Sequence, residues 1–185
     1  MNEHHAALLQ HAPHSQSSAD TWARLCCEQA LLAVEQGCYG VGAVLITESQ
    51  ELLFSTRNQV FVDGHYNSAA HAEMLLLDQL EAEYPEQNRS KLTLYVSLQP
   101  CMMCYGRILI AGIINVRYLA KDKPGGFNGK HLPAAWAELA ARTSIRQATV
   151  EPYWINLAEQ AISRLQDRQV MRQRVIQAWR GSLQT

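Results

Sequence analysis

A basic field is missing from this chain: sixteen Lys and Arg stand against seventeen Asp and Glu, and the formal charge is −1. Nucleic-acid binders usually carry such a field, so polyanion binding is disfavoured as a first reading, although a local patch can hide in a neutral total. No run of eighteen apolar residues occurs, and the first twenty residues hold no apolar stretch behind a basic start. The expectation is a soluble cytoplasmic protein without a membrane span or signal peptide. A disulfide framework is lacking too. Five cysteines is an odd number, and the adjacent Cys26 and Cys27, on an expected helix, point in different directions. They read as small core residues, as does Cys38 after Gly37.

What is present suits one domain: 185 residues, 48% of them hydrophobic. Residues 1–18 carry His4, His5, His11 and His14 outside any strong pattern and are expected to form a flexible N-terminal tail. Residues 19–185 then make a single domain with a C-terminal helical extension. "SADTWARLCCEQALLAVEQG" predicts a helix with Ser18 and Asp20 as capping candidates and Gly37 as its stop. "YGVGAVLIT" and "ELLFSTRN", separated by "ESQ", predict an antiparallel hairpin. A helix from His71, the strand "KLTLYVSL", the helix "CMMCYGRILIAG" and the strand "INVRYLAKD" follow. After the Gly-rich loop "KPGGFNGK" come the helix "PAAWAELAART", a short strand "IRQATV" and a charged helical segment from Pro152. This order implies an α/β fold with a mixed sheet between helices, in which a helical crossover lets the last two strands run parallel.

Two motifs stand at the starts of successive helices, "HAE" at His71 to Glu73 and "PCMMC" at Pro100 to Cys104. Helices that follow neighbouring parallel strands begin at one sheet edge, so His71, Cys101 and Cys104 are expected to meet there. Cysteines three apart share a helix face, and a helix N-terminus favours their thiolates. One His and two Cys suit a catalytic zinc, which keeps its fourth position for water. Two other readings stay open: a closed structural site with Cys38 or His65 as fourth ligand, and a redox pair, which leaves His71 and Glu73 unexplained. Glu73, two residues from His71, points to another face and is placed for the metal-bound water; its plain alternative is a favourable charge at a helix N-terminus.

"HAE" followed by "PCMMC" matches the H-x-E and P-C-x-x-C signature of zinc deaminases. With "VGAVLI", "AAHAEMLLL" and "LYVSLQPCMMCYGRI", it resembles the cytidine deaminase-like superfamily, nearest its tRNA adenosine, guanine and cytosine deaminase branch. The resemblance implies a three-layer α-β-α fold with a five-stranded mixed sheet, and one Zn2+ per chain on His71, Cys101 and Cys104 with Glu73 catalytic. It implies that Asn58, with backbone near Gly42 and Ala43, binds the base, and that the chain forms a homodimer. The implied reaction removes an amine from a small base or nucleoside of guanine or cytosine type. A tRNA adenosine deaminase is the alternative, and a silent zinc-binding module a third reading. Gln99 stands where relatives often have Glu, and "YNSAAHAE" departs from the D-P-T-A-H-A-E of tRNA-editing members. Arg164, Arg168, Arg172, Arg174 and Arg180 offer contacts to RNA, but the interleaved Glu159 and Asp167 read as an exposed helix face.

Overall fold

Every residue of strand β1 (Gly42–Ile46) is buried, which a strand achieves only with neighbours at both edges and cover on both faces. In the computed structural model, which describes residues 1–14, 17–163, 165 and 167–181, those neighbours are β2 (Leu52–Arg57) and β3 (Thr93–Leu98), both antiparallel to it. Strands β4 (Asn115–Ala120) and β5 (Ser144–Gln147) extend the sheet in parallel with β3. The order is β2-β1-β3-β4-β5. This is the expected five-stranded mixed sheet, including the hairpin and the parallel final pair, although β5 ends earlier than "IRQATV" suggests.

Ahead of the sheet in sequence stand α1 (Glu3–Gln10) and α2 (Ser18–Glu35). The cap of α2 is Ser17, one residue earlier than expected. Its hydroxyl accepts the Asp20 N–H at 3.3 Å, and Asp20 in return accepts the Ser17 N–H at 3.1 Å. The second Asp20 oxygen accepts the Glu151 N–H at 2.8 Å, so one buried carboxylate fastens α2 to the start of α6 (Pro152–Ser163). Helices α2 and α6 pack together on the sheet, while α3 (Ala72–Glu83) covers β1 and β2 beside α4 (Met102–Ala111), with α5 (Ala134–Ala141) against α4. Trp154, Leu157 and Ala158 carry α6 into the core; full burial of one large apolar side chain stabilises by about 1.5–3 kcal/mol.

The N-terminal end departs from expectation, whereas the C-terminal segment is helical as expected. Within residues 1–18, expected as a loose tail, α1 packs on α2, with Leu9 and His5 buried. Glu35, the last residue of α2, accepts the Asn2 N–H at 2.6 Å and lies 2.8 Å from His5 Nδ1. The C-terminal segment is two helices, α6 and α7 (Arg168–Trp179), and α7 buries Met171. Arg164 lies outside the described residues.

One feature of the sheet sets up the site. Because β2 and β3 are each antiparallel to β1, they run in the same direction with β1 between them. They are not the neighbouring parallel pair expected from sequence, yet their C-terminal ends still share one edge, and α3 and α4 begin there together. Close packing behind β1 depends on Gly42, where a Cβ would lie 2.3 Å from the Cys26 carbonyl oxygen of α2. Gly42→Ala is therefore expected to lower the unfolding free energy by about 1–3 kcal/mol, read as a lower denaturant midpoint; an unchanged midpoint would show that α2 can yield.

Candidate metal centre

His71 and Cys101 hold equivalent places, each the N-cap of its helix with extended backbone. Leu75 N–H donates to the His71 carbonyl at 3.0 Å, and Tyr105 N–H to the Cys101 carbonyl at 2.8 Å, so both side chains leave from the first turn of a helix. Thr56, near the end of β2, donates its hydroxyl to the Ala72 carbonyl at 2.7 Å and pins the start of α3 to the sheet. Between the helices, Arg107 of α4 grips Glu81 of α3 through two bonds of 2.8 and 2.6 Å and reaches Asp78 at 3.0 Å. Such a bidentate pair fixes orientation as well as distance. The Gly-rich loop closes over the other side, where Phe127 N–H donates to the Pro100 carbonyl at 2.9 Å and Gln99 donates its amide to the Phe127 carbonyl at 3.3 Å. A glutamate in place of Gln99 would have no N–H to donate to that carbonyl.

The donor atoms of His71, Cys101 and Cys104 lie within 4.8 Å of one another. Nδ1 of His71 is 3.7 Å from Cys101 Sγ and 3.5 Å from Cys104 Sγ. A tetrahedral zinc with bonds of about 2.3 Å to sulfur and about 2.0 Å to nitrogen needs an S-to-N separation of about 3.5 Å. The residues present fit the ion. Without it they must share protons. The Cys104 thiol bonds to Cys101, and this, with help from His71 and against burial, lowers Cys101 to about 4. The same bond, together with burial, drives Cys104 far upward. For His71, burial works downward, but the Cys101 bond and the Glu73 charge prevail and its value is raised. A cation replaces those shared protons and holds both sulfurs as thiolates.

Neither proposed fourth ligand arrives. Cys38 is buried in a separate cluster with Val60 and Phe61, where its sulfur accepts the Phe61 N–H at 3.4 Å, and His65 is exposed. Among the described residues no fourth His, Cys, Asp or Glu joins the cluster. The centre is open on the side of a cavity of about 560 Å³, and both His71 and Cys101 line that cavity. Glu73 lines it as well. Its side chain is buried, and burial is the largest influence on it, raising its value above the ordinary glutamate range. Burial disfavours the charged form and so moves the group toward one that can hold a proton.

Asn58 also lines the cavity, only 2% exposed. Its Oδ1 accepts the Val60 N–H at 3.1 Å, so what it can offer inward is its amide N–H pair. Gly42 and Ala43 are not among the lining residues; Tyr39 and Val41, just before β1, are. Gly42 instead lies against α2, and its N–H donates to Ser97 at 3.0 Å. Sequence reasoning missed Asp122 of the Gly-rich loop and Arg168, Met171 and Arg172 of α7, all of which line the cavity. In hindsight Arg168, Met171, Arg172 and Val175 share the three-four spacing of one helix face, but the interleaved charges made that face read as solvated.

Residues 16–120 match the family described as the cytidine and deoxycytidylate deaminase zinc-binding region. A tRNA-specific adenosine deaminase of Bacillus subtilis (strain 168) is 33% identical over 102 residues, 55% of this chain and 62% of that protein. The chain spans less than two thirds of the length of this relative and of a second, from Buchnera aphidicola, at 66%. A solved structure concerned with A-to-I editing by deaminases at the wobble position of transfer RNA is 26% identical, with a TM-score of 0.54 over 60% of this chain and 82% of that one. Guanine deaminase from Nitrosomonas europaea shares the fold at 19% identity, with a TM-score of 0.61 over 88% of this chain and 94% of its own. Among the described residues no helix is long and apolar enough to cross a membrane.

The metal assignment predicts about one zinc per chain by elemental analysis, lost when Cys101→Ala and Cys104→Ala are combined. Unchanged zinc content in that double variant would move the ion elsewhere.

Proposed function

The chain belongs to the cytidine and deoxycytidylate deaminase family, and from that premise we propose that it is a hydrolytic deaminase removing the exocyclic amine of a small nucleobase, free or carried on a sugar, of guanine or cytosine type. The observation that carries this reading is the open side of the His71, Cys101 and Cys104 cluster, which faces a cavity holding the buried carboxyl of Glu73. A bound zinc supplies a water whose pKa falls to about 7. Glu73 takes a proton from that water at its carboxylate and returns it to the departing nitrogen. The water oxygen becomes bonded to the ring carbon, the carbon–nitrogen bond breaks and ammonia leaves. Asn58 orients the ring by donating its amide N–H to a ring carbonyl or nitrogen.

A small substrate is favoured by the near-neutral charge of the chain. The likeness to tRNA-specific adenosine deaminases at 33% identity supports the second reading, conversion of adenosine to inosine in a tRNA loop. The two separate by salt. RNA binding weakens steeply as ionic strength rises, through counterion release, whereas a neutral base hardly responds. Assayed side by side at two ionic strengths, bases and nucleosides are expected to release ammonia with little salt dependence. Activity confined to an anticodon stem-loop and lost at high salt would establish the tRNA reading instead.

Glu73→Gln keeps nearly the same shape but cannot accept the proton. It is expected to retain zinc and fold while losing turnover by about two to four orders of magnitude; turnover at the parent rate would reduce Glu73 to a helix-end charge.

A further inference from the structure

A second cavity, of about 350 Å³, shares no lining residue with the one beside the metal centre. It lies against β3, β4 and β5. Register sets Tyr95 beside Arg117 and Arg117 beside Arg146, so the three side chains form one row on one face of the sheet. Gln147 and Thr149 add polar groups to the lining, and Ala19, in the first turn of α2, brings the positive end of that helix to it. No Asp or Glu lines this cavity. Neither arginine forms an ion pair with a described residue.

Such a row is costly on its own. Like charges opposite each other on adjacent strands repel, and burial, followed by the charge of Arg146, lowers Arg117 from the ordinary guanidinium value. Arg117 still stays a cation, since a guanidinium does not deprotonate near neutrality. Its Nη1 donates to the Val116 and Ser144 carbonyls at 2.8 and 3.1 Å, which fixes the fork and leaves Nε and Nη2 without a bond to a described residue. Arg146 is exposed, and its guanidinium bonds to no described residue. Burial raises Tyr95 above the ordinary phenol value, so it keeps an O–H to donate. Two guanidiniums and a phenol thus face one recess with no carboxylate to answer them, and their N–H forks match the oxygens of an anion. We propose that Arg117 and Arg146 bind one small oxyanion between them, the phosphate or carboxylate group of a small molecule, at a site separate from the reaction cavity. The bound anion cancels the repulsion between β4 and β5, so occupancy stabilises the fold. A recess with two cations, in a chain of net charge −1, suits one anionic group better than a track of phosphates. The site does not depend on the deaminase reading.

The test titrates the zinc-loaded protein with inorganic phosphate and, separately, with malonate at constant ionic strength, reading melting temperature and backbone amide chemical shifts. Saturable binding is expected for at least one of these anions, with a raised melting temperature and shifts centred on Ala19, Tyr95, Arg117 and residues 144–149. Which anion binds shows whether phosphate or carboxylate is read. Arg146→Gln removes an exposed side chain and one of the two like charges. It is expected to fold, to melt no lower than wild type without anion, and to bind the better anion about 10–100-fold more weakly. Unchanged affinity in that variant, or shifts confined to the residues of the metal-site cavity, would overturn the proposal. So would the absence of saturable binding by either anion, or binding of an anticodon stem-loop alone.

Discussion

Three soft donors held within 4.8 Å of one another, one of them fully buried, are the condition from which the rest of the molecule follows. Two sulfurs and an imidazole so close repel as soon as more than one is anionic, and burial deprives them of water to spread that charge. A divalent cation removes the conflict. The polypeptide sustains the arrangement through elements that are distant in sequence. β1 separates two strands that point the same way, the Arg107 pair with Glu81 locks α3 to α4, and the Gln99 amide secures the loop beside Cys101. Each acts on the relative position of two helix N-termini. The fourth side is open among the described residues, none of which brings a further His, Cys, Asp or Glu to the cluster.

Local pattern reveals much of this. The "HAE" and "PCMMC" stretches point to the three residues that the fold gathers as candidate metal donors, and to Glu73 beside them, since residue type and a spacing of three decide donor geometry within one helical turn. The β1–β2 hairpin follows from two apolar runs joined by a polar turn. Features made by packing between distant segments are less legible. Helix α1 is ordered by acceptors on Glu35, twenty-five residues beyond its own end, and nothing within residues 1–18 announces that partner. Gly42 is expected from the resemblance beside the base; what the sequence does not show is that a Cβ there would lie 2.3 Å from the Cys26 carbonyl oxygen, so close does its backbone run to α2. Asn58 is buried, accepts the Val60 N–H and lies on the cavity lining.

The C-terminal helix shows the same limit most clearly. Its sequence mixes arginines with acids and glutamines, as a solvated helix does, and only Met171 and Val175 betray an inner face. With α7 seated by Arg174 and Met171, the exposed Arg168 and Arg172 fall on the cavity lining. A carboxyl beside a candidate metal centre is suited to exchanging an amine for an oxygen.

X-ray absorption at the zinc edge tests the central claim most directly, because it reads the ligand set of the loaded protein. The account predicts two sulfurs at about 2.3 Å and two nitrogen or oxygen neighbours at about 2.0–2.1 Å, one from His71 and one exchangeable. A first shell of four protein ligands with no exchangeable oxygen, or one without sulfur, would contradict an open site built from His71, Cys101 and Cys104.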